Sequence, residues 1–166
     1  VRYITTLQGT TVNSLHGPAE ALEDLRQVCI NGYYPRKYWA YLAAFNRDCY
    51  PDWKNGTALA ACQASTLKAL GIDAQKLGAC AAGTEGLGFL AADEEASSRY
   101  QALASPTLII NGQTYNGART PEAYKQALCA RFDTPPAECS VNLSAQAAAA
   151  SGLKSSISIL SIAPQS

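Results

Sequence analysis

The feature that most constrains this chain is its set of six cysteines: Cys29, Cys49, Cys62, Cys80, Cys129 and Cys139. The count is even, the spacing is wide, and no Cys-x-x-Cys occurs. Zinc usually wants two close pairs, so no metal site is expected. Two readings remain: buried free thiols in a cytosolic protein, or disulfides formed in an oxidising compartment. Cytosolic chains seldom carry this many unclustered cysteines, so structural disulfides are the expectation. The sequons Asn55-Gly56-Thr57 and Asn142-Leu143-Ser144 agree with export and make Asn55 and Asn142 candidate glycosylation sites.

Hydrophobic residues make up 48% of the 166 and charged residues 16%, enough apolar material for one packed core. Thirteen basic residues balance thirteen acidic ones. A neutral chain lacks the electrostatic footprint of a nucleic-acid or anionic-membrane binder. No apolar run approaches the ~18–20 residues that span a bilayer. The sequence holds no phosphate-binding Gly loop, no Gly-x-Ser-x-Gly elbow and no His-Glu-x-x-His. No cofactor is therefore expected. His16, the one histidine, has no nucleophile to pair with and reads as a solvated or capping residue. The chain starts at Val1 and contains no Met, as expected of a processed or truncated product; a signal peptide, if one existed, has already gone.

Along the chain, Val1–Thr6 reads as a short strand. Gly17-Pro18 opens a helix with Leu22, Leu25, Val28 and Cys29 at helical spacing, stopped by Asn31-Gly32. A second helix follows Pro35, with Tyr38, Trp39, Leu42 and Phe45 on one face. A third runs from about Thr57 to Leu70 and ends at Gly71. Asp73 caps a fourth, which ends near Gly83. The Gly-rich segment Gly83–Gly88 reads as a loop, and Asp93 as the cap of a fifth helix reaching about Leu103. The period then changes. Thr107–Ile110 is a β run, Asn111-Gly112 a hairpin turn, and Gln113–Tyr115 the return strand. Thr120-Pro121-Glu122 opens a helix to about Phe132. Beyond it, Ser144 could cap a helix over Ala145–Ser151, and Ser155–Ala163 reads as a strand. The outline is α+β: a sheet interrupted by a helical insertion at about 18–103.

This outline suggests a disulfide pattern. Cys62 and Cys80 lie equally far from the turn at Gly71, which sets them side by side in an antiparallel helical hairpin. Cys129 and Cys139 bracket a short loop through Pro135-Pro136. Cys29–Cys49 is left as the third pair.

Ser105-Pro106-Thr107, the LIINGQTYNG run and the Pro-opened helix after it resemble the C-terminal half of the thioredoxin fold. A large helical block ahead of that proline resembles its DsbA-like branch. Several further runs are similar to the luminal thioredoxin-like region of plant vacuolar sorting receptors. They include Arg26-Gln27-Val28-Cys29, Trp39…Phe45…Cys49, Leu70-Gly71-Ile72-Asp73…Lys76-Leu77…Cys80 and Ala127-Leu128-Cys129…Phe132. The resemblance covers about residues 20–140 and takes in all six cysteines in order. It implies a thioredoxin-like sheet, shared by Val1–Thr6 and the hairpin, with Pro106 as a cis-proline. Redox members carry Cys-x-x-Cys upstream of the strand at Val1–Thr6, a segment this sequence does not include.

The expected function follows from these features. Residues 1–140 form a thioredoxin-like domain and 141–166 a C-terminal helix and tail. The chain is a non-catalytic extracellular or secretory-lumen module for structure, assembly or protein binding. The alternative is a thiol–disulfide oxidoreductase whose active-site segment lies upstream of Val1. Pro106 then faces a substrate disulfide in the redox reading and merely aligns the hairpin in the other. Tyr38, Trp39 and Tyr41 read as core packing, with an aromatic binding patch as the alternative. In the tail, Ile157, Ile159, Leu160 and Ile162 form an apolar strand that would be a liability in water. It either fills a sheet position in its own subunit, docks on a neighbouring copy to build a filament, or is a disordered remnant.

Overall fold

The computed structural model describes residues 1–144 and 160–162. The chain divides into two compact units, Tyr3–Ala96 and Val1–Arg2 with Ser97–Ser166.

The first unit opens on a hairpin. β1 (Thr5–Gln8) and β2 (Thr11–Ser14) pair antiparallel, with Leu7 opposite Val12. Gly9, at φ +64°, is the one turn residue with positive φ, the pattern of a II′ turn with glycine first. The strand expected at Val1–Thr6 thus begins later and finds its partner immediately downstream. It belongs to a two-stranded sheet of its own and shares none with the Leu108–Thr114 hairpin.

α1 (Pro18–Tyr33) starts on proline, with Glu20 in its first turn. Its buried face joins Ala21, Leu25, Val28, Cys29 and Ile30 to three polar residues, Glu23, Asp24 and Gln27. Leu22 stands outside that face and is 65% exposed. α2 (Pro35–Ala44) runs on into a π turn (Phe45–Cys49) and a 3₁₀ turn (Tyr50–Asp52). Tyr38, Tyr41 and Phe45 are buried at i, i+3 and i+7, whereas Trp39 points away and is 59% exposed. α3 (Gly56–Ala69) and α4 (Ala74–Ala82) are capped by Asn55 and Asp73. The Asp73 carboxylate accepts from the N–H groups of Gln75 and Lys76 at 2.9 and 3.0 Å.

The expected Gly83–Gly88 loop is mostly helix, since α5 spans Thr84–Arg99 and stops short of Leu103. Gly86 serves close packing there. A Cβ on Gly86 would lie 2.7 Å from the Cys80 carbonyl oxygen and 3.3 Å from Cys29 Sγ. Asp93, expected as a cap, sits inside α5 and is buried, its Oδ2 accepting the Tyr3 N–H at 3.0 Å.

The disulfides are Cys29–Cys80, Cys49–Cys62 and Cys129–Cys139. Two of the three expected pairs are therefore exchanged. The equal-distance argument assumed that α3 and α4 lie antiparallel against each other. Instead α4 packs chiefly along α1, turning Leu77 and Cys80 toward Cys29, while α3 packs on the π turn that ends at Cys49. On loop length alone, Cys29–Cys80, separated by 51 residues, should restrict the unfolded chain most, by about 4 kcal/mol.

In the second unit β3 (Leu108–Ile110) is buried along its whole length. Asn111 and Gly112, at φ 49° and 78°, form the turn expected of Asn-Gly, and β4 (Gln113–Thr114) returns antiparallel. β5 (Leu160–Ile162) lies parallel along the other edge of β3, with Leu108 opposite Leu160 and Ile110 opposite Ile162. α6 (Pro121–Cys129) is capped by Thr120 and ends before Phe132, pinned by Cys129–Cys139. The helix expected over Ala145–Ser151, and residues 155–159 and Ala163 of the expected tail strand, lie outside the described residues. The composite is α+β, stapled by disulfides.

Candidate functional site

In the second unit a concavity of about 500 Å³ opens between the β3–β4 hairpin and α6. One wall is Ile110, Thr114, Tyr115 and Asn116; the other is Ala127, Ala130 and Arg131. The sequence dictates both walls. The Asn111-Gly112 turn forces the hairpin, and Thr120-Pro121 starts α6, which carries Ala127 and leads into Ala130 and Arg131 just past its end. Tyr115 packs edge-on against Tyr124 of α6, with ring centroids 5.6 Å apart. The lining sets apolar Ile110, Ala127 and Ala130 beside the Asn116 carboxamide and the Arg131 guanidinium. Ser105–Pro106, just ahead of β3, is a cis peptide bond.

In the first unit the polar residues of α1 build a buried node. Glu23 Oε1 accepts from Gln27 Nε2 at 2.8 Å and from the Tyr41 hydroxyl at 2.9 Å. Its Oε2 accepts from Gln63 Nε2 at 2.8 Å and from the Arg26 guanidinium. The Tyr3 hydroxyl donates to Gln27 Oε1 at 2.5 Å and bonds the Tyr38 hydroxyl at 2.7 Å. One carboxylate thereby joins α1, α2, α3 and the chain before β1. Burial pushes the Glu23 pKa up, opposed by the Arg26 charge and the donors from Gln27 and Tyr41. Beside it, burial raises Asp24 to about 7, against the pull of the Ser14 hydroxyl bonded to it at 2.5 Å. Glu20, Glu23 and Asp93 add repulsion that raises Asp24 further. Tyr3, Glu23, Asp24, Gln27, Tyr38, Tyr41 and Gln63 are all buried, and the chemistry of the node is that of a polar core.

Sequence reasoning missed this node, because a periodicity search weighs apolar residues and reads Glu23, Asp24 and Gln27 as a solvated face. The signal present was the company of Tyr38 and Tyr41, whose hydroxyls need partners once buried. Other named residues are placed as follows. His16 is exposed, its backbone N–H and ring Nδ1 both on Glu20. Asn55 and Asn142 are exposed and far apart in sequence. Leu160 and Ile162 lie in β5, while Ile157 and Ile159 are outside the described residues. All six cysteines are paired. Among the described residues no cluster of His, Cys, Asp and Glu is arranged to hold a metal, and no helix is long and apolar enough to cross a membrane.

Comparison with known families decides the relationship. The profile of the vacuolar sorting receptor thioredoxin-like domain matches residues 3–129. The chain belongs to this family. Its matched span contains the whole Glu23 node and every cysteine except Cys139. Among relatives, vacuolar-sorting receptor 3 of Arabidopsis thaliana is 30% identical over 137 residues, covering 74% of this chain. Vacuolar-sorting receptor 4 of the same plant is 28% identical over 137 residues, again 74% of the chain. Vacuolar-sorting receptor 1 of Pisum sativum is 28% identical over 141 residues, or 76%. The chain spans about a fifth of these relatives, 22% of each. No solved structure matches it significantly. The vacuolar sorting receptor thioredoxin-like domain is here an α+β unit whose cysteines are all committed to disulfides.

Proposed function

We propose that this domain is a non-catalytic, protein-binding module of the secretory-pathway lumen or extracellular space. The observation that carries the reading is that all six cysteines are spent on disulfides within a family named for sorting receptors. Thiol–disulfide exchange needs a thiolate to reach a disulfide sulfur, and Cys29, Cys49 and Cys80 are buried. The same disulfides fit an oxidising compartment. The relatives are receptors by name, and the concavity between the β3–β4 hairpin and α6 is where this domain would hold a peptide segment.

Panning a random-peptide display library against the chain tests the binding half. Peptides pairing an apolar residue with a carboxylate should be enriched, and should be lost when Ala130→Trp fills the concavity or Arg131→Glu reverses its border charge. Enrichment that survives both variants overturns the site. An insulin-reduction assay tests the non-catalytic half: turnover like that of a thioredoxin refutes it.

For the tail, pairing of Leu160–Ile162 with β3 supports docking on the chain's own sheet. Assembly into a filament would require the same strand to seat on β3 of a neighbouring copy.

A further inference from the structure

We propose that Asn55 and Asn142 are both N-glycosylated in the folded protein, and that the Asn142 glycan leaves the concavity beside α6 open. Each asparagine begins an Asn-x-Ser/Thr sequon and each is exposed. Both engage only the carboxamide oxygen in a described bond. Asn55 Oδ1 accepts the Ala58 N–H at 3.2 Å as the cap of α3. Asn142 Oδ1 accepts the Ser144 N–H at 2.8 Å. Glycosylation uses the other atom. Nδ2 forms a C–N bond to the anomeric carbon of an oligosaccharide carried on a polyprenyl diphosphate. The carbon–oxygen bond to the diphosphate breaks, one amide proton goes to base, and the lipid diphosphate leaves. A capping bond through Oδ1 is therefore compatible with a glycan on the same residue.

The position of Asn142 is fixed further. The Leu143 N–H donates to Glu122 Oε2 at 2.7 Å, and the Lys125 ammonium donates to the Val141 carbonyl oxygen. Glu122 and Lys125 share one side of α6, whereas Ala127, which lines the concavity, lies on the opposite side at about 100° per residue; Ala130 and Arg131 follow the end of the helix. A glycan on Asn142 thus projects from the back of the wall that the concavity uses. A glycan on Asn55 stands at the start of α3, next to the exposed Trp53, and withdraws that corner from any protein interface.

The proposal rests on the luminal reading above for its occurrence in nature, so the test supplies the compartment. The full chain is expressed behind a secretion leader in a eukaryotic host and mapped by mass spectrometry after peptide N-glycosidase treatment in heavy-oxygen water. Labelled aspartate is expected at 55 and at 142. On gels the untreated protein should lose one mobility step with Thr57→Ala, one with Ser144→Ala and both with the double variant. These changes remove the sequon hydroxyls while keeping the Asn55 cap and the Asn142 turn. Unmodified asparagine at either position in the secreted wild-type chain overturns the proposal. So does peptide binding, in the display assay, that rises when the Asn142 glycan is removed. Failure of the insulin or display tests, by contrast, bears on the proposed function alone.

Discussion

Gly86 shows how little a residue's name says before its surroundings are known. As one of three glycines in six residues it reads as part of a loop, yet it lies inside α5 where the helix passes over the Cys29–Cys80 bridge. Ala at this position is a better helix former by about 1 kcal/mol, so propensity alone predicts stabilisation. The packing predicts the reverse. A methyl 2.7 Å from a backbone carbonyl oxygen cannot be relieved by a flexible side chain, and overpacking of this kind costs about 1–3 kcal/mol. Gly86→Ala is therefore expected to lower the melting temperature of the oxidised protein, measured by circular dichroism. A rise would show that α5 shifts freely away from Cys80. The caps at Asp73 and Thr120 were legible at this same scale, because an N-cap bond reaches only two or three residues along the chain.

At the scale of the element, α1 carries the main lesson. Its start at Pro18 and its length follow from local signals, but its buried face does not, since Leu22 is exposed while Glu23, Asp24 and Gln27 are inside. Polar residues enter a core only with partners, and the partners lie on α2, α3 and β2, beyond the reach of periodicity. This arrangement has a pH signature. Asp24, raised from 3.8 to about 7, binds its proton more tightly folded than unfolded. Its stabilising effect is complete below about pH 4 and is lost as pH rises through 7, a change of about 4 kcal/mol for this one group. Glu23 shifts in the same direction. The melting temperature is thus expected to fall between pH 5 and pH 8. Asp24→Asn, which keeps an acceptor for Ser14, should flatten much of that slope and exceed the wild type at pH 8. An unchanged slope in the variant would place the titration elsewhere.

For the whole molecule, the α+β class, the helix order and the Asn111-Gly112 hairpin were legible in the sequence. The separate sheet of β1 and β2 and the pairing of four cysteines were not. Both depend on which element lies against which, and equal spacing about Gly71 holds no information on that. The tail belongs to this scale too. Deleting residues 153–166 removes β5 and uncovers an edge of β3, whose three residues are all buried. If docking is within the chain, the truncated protein should remain monomeric by light scattering and melt at a lower temperature. If docking is between copies, the full-length protein should be an assembly that truncation disperses and that added tail peptide competes apart. A truncated chain with unchanged melting temperature and size would rule out both.

The order of the cysteines bears on how the protein is made. The Cys49–Cys62 loop is nested wholly inside the Cys29–Cys80 loop. Of these six, Cys29 and Cys49 are synthesised first, and neither is the other's native partner. Among the bonds these six cysteines can make, the earliest available is thus a wrong one, and reaching the native set requires that bond to be withheld or exchanged. Oxidative folding of this domain should therefore be faster with a disulfide isomerase present, even though its six cysteines end with no free thiol.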